Sequence, residues 1–278
     1  MSSDFLNDTE FAKFRDTIYQ ESGINFTVAN RSILESRLKE RLRTLKISSL
    51  DEYHRCIIRD KDEMRAFLDS ITTNLTRFFR NAAHMEAFEY YVLPELVASK
   101  RAGDRTIRVW SAGCSSGEEP YTVAMVMKEN LPPEFKISVV GSDISLKSLM
   151  VGREGYYPES RVGNVPEKYL KKYFTRHESG YRITEEIREL VTFDYHNLKH
   201  DSGLRNLDVV FCRNVLIYFD EAAQKASVNR FWDVMGPYSF LFIGHSESLF
   251  GMNTGFEFLK TDWACLYRKT TSSAGGTT

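Results

Sequence analysis

The chain has 278 residues, 42% of them apolar and 27% charged, and 37 basic against 38 acidic side chains leave it near neutrality. That length holds one large domain plus a smaller one, and the charge balance argues against a general affinity for nucleic acid. No apolar run approaches the ~20 residues of a membrane span, the opening Met1-Ser2-Ser3-Asp4-Phe5 lacks the regions of a secretory leader, and Cys56, Cys114, Cys212 and Cys265 form no zinc or disulfide pattern, so a cytoplasmic protein without membrane insertion is expected.

The first 73 residues read as all-helical. Phe11, Phe14 and Ile18 recur at helical spacing from residue 8, and Ser22-Gly23 supplies a stop. A second helix over 28–46 carries Leu34, Leu38, Leu42 and Leu45 along one stripe, and shorter helices follow near 50–59 and 61–71. Residues 74–82 link this unit to a larger one over 83–270. From Arg105 onward, strands are expected at 106–111, 137–142, 190–194, 207–212 and 238–243, each rich in Val, Ile, Phe or Trp, with helices at 117–130, 145–152 and 220–235. Strands separated by helices imply parallel pairing through right-handed crossovers. A final pair, 255–260 and 263–268, has no helix between its members and predicts an antiparallel hairpin. A Ser179-Gly180 turn between β-prone runs predicts a small inserted hairpin over about 172–190, and residues 271–278 read as a flexible tail.

The chemistry concentrates where the strands end. Val109-Trp110-Ser111-Ala112-Gly113-Cys114-Ser115-Ser116-Gly117-Glu118-Glu119-Pro120-Tyr121 runs from a buried strand through a small-residue loop into a helix that opens with two carboxylates. In α/β folds that is where a nucleoside-bearing cofactor sits. The glycines are spaced G-x-x-x-G, not the G-x-G-x-x-G that seats a pyrophosphate, and acidic residues follow where a phosphate would want bare amides. A cofactor with a ribose and a cation but no phosphate suits this loop, and S-adenosylmethionine is the candidate. Asp143, closing Val139-Val140-Gly141-Ser142-Asp143, either accepts from ribose hydroxyls or caps the helix that starts at Ser145.

After the fourth strand, Cys212-Arg213-Asn214-Val215-Leu216-Ile217-Tyr218-Phe219 puts Arg213, Asn214 and Tyr218 at the sheet edge where ligands bind. Arg213 and Tyr218 also fit as a surface charge and a core aromatic. Residues 72–80, Thr-Thr-Asn-Leu-Thr-Arg-Phe-Phe-Arg, join the two units. Arg80, beside two phenylalanines, is suited to grip a carboxylate, while Asn74 and Thr76 also serve as loop and cap residues. Arg31, Arg37, Lys39, Arg41, Arg43 and Lys46 make one helix basic, marking either a solvated face or a dock for an acidic partner. The histidines show no metal-ligand spacing, and no metal is expected.

Together these blocks resemble the chemotaxis receptor methyltransferases, the CheR family, over about residues 8–269. The motifs are Thr72-Thr73-Asn74-Leu75-Thr76-x-Phe78-Phe79-Arg80, Trp110-Ser111-Ala112 leading to Gly117-Glu118-Glu119-Pro120-Tyr121, Ser142-Asp143-Ile144, Phe211-Cys212-Arg213-Asn214-Val215-x-Ile217-Tyr218-Phe219 and Gly244-His245-Ser246-Glu247. The resemblance implies a Rossmann-like class I methyltransferase α/β sheet, a small all-helical N-terminal domain and an inserted β-hairpin subdomain. It implies methyl transfer from S-adenosylmethionine to glutamate side chains on the signalling helices of methyl-accepting chemoreceptors. The products would be γ-glutamyl methyl esters and S-adenosylhomocysteine, and a monomer is expected. Implied cofactor contacts are Asn74, Thr76, Arg80, Glu119, Asp143, Asn197, Leu198, Arg213 and Asn214, with Gly113 of the loop beside them. The basic helix, through Arg37, Arg41 and Arg43, matches the region that docks on the receptor, although Glu40 departs from a position that is often basic. In some members the β-subdomain binds a receptor pentapeptide through a longer, glycine-richer turn; the short His177-Glu178-Ser179-Gly180 turn predicts no such tether.

A glutamate acceptor has an unperturbed pKa of about 4.3 and is already an ionised nucleophile at neutral pH, so no general base is required. The sulfonium activates the methyl group. The protein must then supply in-line alignment and desolvation, and Arg80 and Tyr218 are expected to orient the reacting groups. A methyltransferase for RNA or a small molecule, a non-catalytic cofactor sensor, and an NAD-dependent dehydrogenase are the rival readings, the last disfavoured by glycine spacing.

Overall fold

A computed structural model describes residues 5–100 and 103–270; the tail expected at 271–278 lies outside the described residues. The chain starts with a helical unit. Helix α1 (Asp8–Ser22) opens on a capping box between Asn7 and Glu10 and stops at Gly23, whose φ of 77° a side chain would resist. A short 3₁₀ turn (Val28–Asn30) leads into α2 (Arg31–Leu45), followed by α3 (Leu50–Arg59) and α4 (Lys61–Ile71). Ser49 and Asp60 cap the last two. Phe11, Phe14, Ile18, Leu34, Leu38, Leu42, Tyr53 and Phe67 close into one core. Leu45, in the final turn of α2, is 37% exposed, so three leucines anchor that helix, not four.

The stretch after the linker, for which the sequence pattern predicts no element, is helical: α5 (Ala82–Ala87), a π turn (Phe88–Val92) and α6 (Leu93–Lys100). Pro94 and the Phe88-Glu89-Tyr90-Tyr91 run mask the period. The Leu93 amide bonds to the Phe88 carbonyl, one residue further back than in an α-helix, which admits the proline that follows.

The remaining elements are β1 (Thr106–Ala112), α7 (Glu118–Asn130), β2 (Lys136–Asp143), α8 (Leu146–Glu154), β3 (Tyr156–Pro158), α9 (Glu159–Val162), α10 (Glu167–Tyr173), β4 (Phe174–His177), β5 (Gly180–Ile183), α11 (Glu185–Arg188), β6 (Val191–Tyr195), β7 (Leu207–Cys212), α12 (Glu221–Val234), β8 (Met235–Ile243), β9 (Glu257–Lys260) and β10 (Cys265–Lys269). The main sheet has the order β6-β2-β1-β7-β8-β10-β9. Its first five strands are parallel and β10 runs against them. Side chains alternate between two cores: Val109, Val209, Phe211 and Phe242 face one helical layer, while Trp110, Val210, Leu241 and Phe231 of α12 close the other. This is the α/β sheet the resemblance implied.

The inserted hairpin, expected over about 172–190, is β4 and β5, but a third strand joins it from upstream. Tyr156–Pro158 pairs antiparallel with β5 to give the order β3-β5-β4. Three residues ending in proline carry no readable alternation, which is why the sequence hid this strand. Among the described residues no helix is long and apolar enough to cross a membrane.

Candidate active site

From β1 the chain steps outward to β2 and β6, then returns to β7 on the other side of β1. This reversal opens a crevice beyond the carboxyl ends of β1 and β7, where α/β sheets bind ligands. All eleven residues expected to contact cofactor or substrate line that one cleft: Asn74, Thr76, Arg80, Gly113, Glu119, Asp143, Asn197, Leu198, Arg213, Asn214 and Tyr218. Arg37, Arg41 and Arg43 do not line it; they lie on α2.

The floor of the cleft is the loop after β1. Gly113 sits at φ 78°, and a Cβ there would run into the Val215 side chain. The amides of Gly113 and Cys114 both donate to the Ser142 carbonyl, at 2.8 and 2.9 Å. Asp143 then holds the loop: its carboxylate accepts from the Ser115 amide at 2.7 Å and the Ser145 amide at 2.8 Å. Burial pushes the Asp143 carboxyl upward while these amides pull it back down. A carboxylate has about four lone-pair sites, so two amides leave acceptor capacity for a ribose. The cap of α8 is Ser145, whose hydroxyl accepts from the Ser148 amide.

The two carboxylates that open α7 go to different arginines. Glu118, fully buried, pairs with Arg161 at 2.7 Å, and Tyr157 donates to the Ser116 carbonyl at 2.6 Å, so the small sheet clasps this loop from outside. Glu119 faces the cleft. It accepts from Ser111 Oγ at 2.7 Å and from Arg213 Nη1 at 3.0 Å. Arg213 is 7% exposed and also donates to the Arg80 carbonyl at 2.5 Å. Burial draws its guanidinium below the usual arginine range, and Glu119 opposes that shift. Cys114 is no nucleophile here, because burial raises its thiol well above the ordinary range.

Arg80 is bracketed by two non-glycine residues in the left-handed region, Phe79 at φ 50° and Asn81 at φ 61°. Such conformations cost energy and persist where surrounding structure fixes them. Here Phe79 N donates to Thr122 Oγ1 at 3.2 Å, and Arg80 Nη1 donates to the Leu75 carbonyl at 2.9 Å. Asn74 reaches Ser145 Oγ at 3.2 Å, tying the linker to the start of α8. The loop after β7 has its own clasp. Asn214, at φ 59°, and Ile217 donate their amides to the Glu247 carboxylate at 3.0 and 3.1 Å, and Gly244 adds a third amide. In the sequence Gly244-His245-Ser246-Glu247 is a motif without a role; the role of Glu247 is to shape the loop carrying Arg213, Asn214 and Tyr218.

The opposite wall comes from the helical unit, and no sequence motif marks it. Ser22, Ile24, Asn25, Phe26, Asn30 and Ile33 line the cleft from the helical unit. The Asn25 amide donates to the Tyr218 carbonyl at 2.8 Å, and Ile24 forms a bridge with Phe219. Asn197 Nδ2 donates to the Glu21 carbonyl at 2.6 Å, while Lys199 reaches the neighbouring Gln20 carbonyl, so both satisfy the open end of α1. The only local signal was Ile24-Asn25-Phe26 after a helix stop, which does not name its partner.

The basic face of α2 is less free than its composition suggests. Arg41 spends Nε and Nη2 on Glu63, which also accepts from Tyr53. Arg37 pairs with Glu40, Lys39 with Glu35 and Arg31 with Asp8. Arg43 makes no ion pair among the described residues.

The cleft fits a sulfonium nucleoside on its own polar atoms. Ser115 Oγ, His196 Nε2 and Arg213 Nε are buried without a partner among the described residues, and all three residues line it. The carboxylates of Glu118, buried, and Glu119, facing the cleft, occupy the helix end that a diphosphate would need. Residues 9–72 match the family profile described as "CheR methyltransferase, all-alpha domain", and residues 74–265 match "CheR methyltransferase, SAM binding domain". The chain belongs to the CheR methyltransferase family. It is 35% identical to "Chemotaxis protein methyltransferase 2" of Vibrio cholerae, covering 90% of this chain and 88% of that one. Identity is 35% to "Chemotaxis protein methyltransferase" of Borreliella burgdorferi, over 91% and 93% of the two chains. The Escherichia coli protein of that name is 36% identical over 87% of this chain and 85% of its own. This CheR chain is therefore a methyltransferase that uses S-adenosylmethionine.

Proposed function

We propose that this methyltransferase esterifies glutamate side chains on the cytoplasmic helices of chemoreceptors, acting as a monomer in the cytoplasm. The observation that carries the reading is convergence: eleven residues from separate segments meet in one cleft, and α2, with its exposed arginines, begins at that cleft's edge. In this reading residues 1–73 form the receptor-docking unit, 74–82 a linker that contributes to the site, and 83–270 the catalytic unit.

S-adenosylmethionine, when bound, supplies a sulfonium-activated methyl group. Asn74, Thr76, Gly113, Glu119, Asp143, Asn197, Leu198, Arg213 and Asn214 hold it, with Asp143 on the ribose and Arg213 offering its unpaired Nε. Arg80 and Tyr218 orient the acceptor carboxylate, which needs no base because it is already ionised. Arg80 suits that role because its backbone carbonyl is anchored by Arg213, while the side chain makes one hydrogen bond, to a carbonyl. Arg37 and Arg43 meet an acidic stretch of receptor; Arg41 braces α2 through Glu63 while adding its field.

The enzyme acts without a pentapeptide tether. In support, His177 pairs directly with Gly180, so only Glu178 and Ser179 span the β4–β5 turn. The test is transfer of labelled methyl to a receptor cytoplasmic fragment, read as methanol released by base. Arg80→Ala should lower turnover by roughly 10²–10³-fold with an unchanged melting temperature. A fragment lacking its C-terminal tail should be methylated at the full rate. Label that survives base, or near-normal turnover in Arg80→Ala, would reject the reading.

A further inference from the structure

Four large apolar side chains stand in solvent on the segments that line the cleft. Val28 and Leu75 are each 77% exposed, Ile33 is 51% exposed and Ile217 49%. Ile33 and Leu75 line the cleft, Val28 lies between its lining residues Phe26 and Asn30, and Ile217 lies between Val215 and Tyr218. They come from three separate segments: the entry to α2, the linker, and the loop after β7. None belongs to a core cluster. The rest of the lining mixes the charged Arg80, Glu119, Asp143 and Arg213 with apolar side chains such as Ile71, Leu198 and Val215.

Exposed apolar surface gathered around a cleft that carries charged side chains marks contact with another molecule. A small acceptor would descend into the cleft and leave such a collar wet. A larger partner is indicated by what lies beyond Ile33. The exposed side of α2 runs from Ile33 past Arg37 to Arg43, and at 1.5 Å per residue the ten steps between them span about 15 Å. Arg37 is held only by an exposed pair with Glu40, and Arg43 makes no ion pair among the described residues. An occupant touching both the collar and these arginines must be elongated, apolar along one seam and acidic beside it.

We infer that Val28, Ile33, Leu75 and Ile217 form an apolar collar that seats the apolar seam of the acceptor helix around its target glutamate. This rests on the receptor-glutamate reading above and adds to it the surface that selects which glutamate enters. Closing apolar groups over the site excludes water and strengthens the hold of Arg80 on the carboxylate. A glutamate surrounded by charge would leave the collar wet and is rejected; one flanked by small or apolar residues is accepted.

The experiment uses the full-length enzyme, S-adenosylmethionine and a chemoreceptor cytoplasmic fragment from the same organism. Val28→Ser and Ile217→Ser are combined because neither side chain lines the cofactor cleft. The double variant should raise KM for the fragment about tenfold, with kcat and cofactor Kd unchanged. Val28→Ile with Ile217→Leu should restore the wild-type KM. Raising salt should shrink the defect of Arg43→Ala and leave the collar defect intact. An unchanged KM, or a cofactor Kd that moves with it, overturns the collar alone. A wild-type enzyme that transfers no methyl to the fragment overturns the functional reading and the collar together.

Discussion

Across the cleft, the sheet-side wall keeps its charges out of water, whereas the helical-side wall is held by backbone hydrogen bonds and shows apolar surface to solvent. On the first wall, Glu119, Arg213 and Asp143 are each engaged by protein groups at 3.0 Å or less. On the second, the Asn25 amide, the Glu21 carbonyl and the Gln20 carbonyl make the stitches, and Ile33 stays half exposed. Buried charge tolerates little change, because removing one partner strands the other. Exposed apolar surface tolerates much. The sheet wall is thus the less tolerant of substitution and the helical wall the freer to vary.

The sharpest break between the walls is expected at Glu119. Glu119→Ala leaves a buried Arg213 with one carbonyl partner and an already orphaned Nε. It should cost about 3–5 kcal/mol of unfolding free energy, measured by urea denaturation. Ile33→Ser on the facing wall should stay within about 1 kcal/mol of wild type. Equal costs would erase the distinction.

The next largest effect is in acid. His84 on α5 is 6% exposed, and its Nδ1 has no partner among the described residues. Burial, with Arg213 and His245 adding, lowers its pKa from 6.5 to about 4. The folded state therefore keeps the imidazole neutral where the unfolded chain takes up a proton. Stability from this group is full above pH 6.5 and is lost as pH falls towards 4. Between pH 7 and pH 5 the loss is about 2 kcal/mol. His84→Leu should flatten that slope in urea midpoints recorded at the two pH values. An unchanged slope would assign the acid sensitivity elsewhere.

The same contrast explains what could be read from the chain. Floor residues such as Gly113, Glu119, Asp143 and Arg213 follow apolar strands at fixed offsets, so local pattern and the CheR resemblance located them together. Helical period and β-prone runs predict the major elements of both units, with most ends within two residues; α2 and β8 start three residues away, at Arg31 and Met235. The helical wall is hidden because Ile24 and Asn25 act through partners nearly two hundred residues away, Phe219 and Tyr218, which no local spacing encodes. Arg41 looked like free surface charge for the same reason: Glu63 is 22 positions downstream. The β3 strand and the π turn were missed because three residues, or five with a proline behind them, are too few to set a period.

The smallest effect tests whether the walls are coupled. Glu247 accepts three backbone amides, and two of them belong to the loop that carries Asn214 and Ile217. Glutamine has one acceptor oxygen, and its NH₂ group would face an N–H donor. In Glu247→Gln the one acceptor oxygen serves best where the Asn214 and Gly244 amides converge, so the Ile217 amide loses its partner and the loop loosens. Cofactor Kd should rise about tenfold, or about 1.4 kcal/mol, in calorimetry. Because Ile217 rides on the same loop, KM for the receptor fragment should rise with it, while Val28→Ser on the opposite wall should move KM alone. If Glu247→Gln weakens the cofactor and leaves receptor KM untouched, the loop does not serve both walls, and the acceptor is read by α2 and the linker without it.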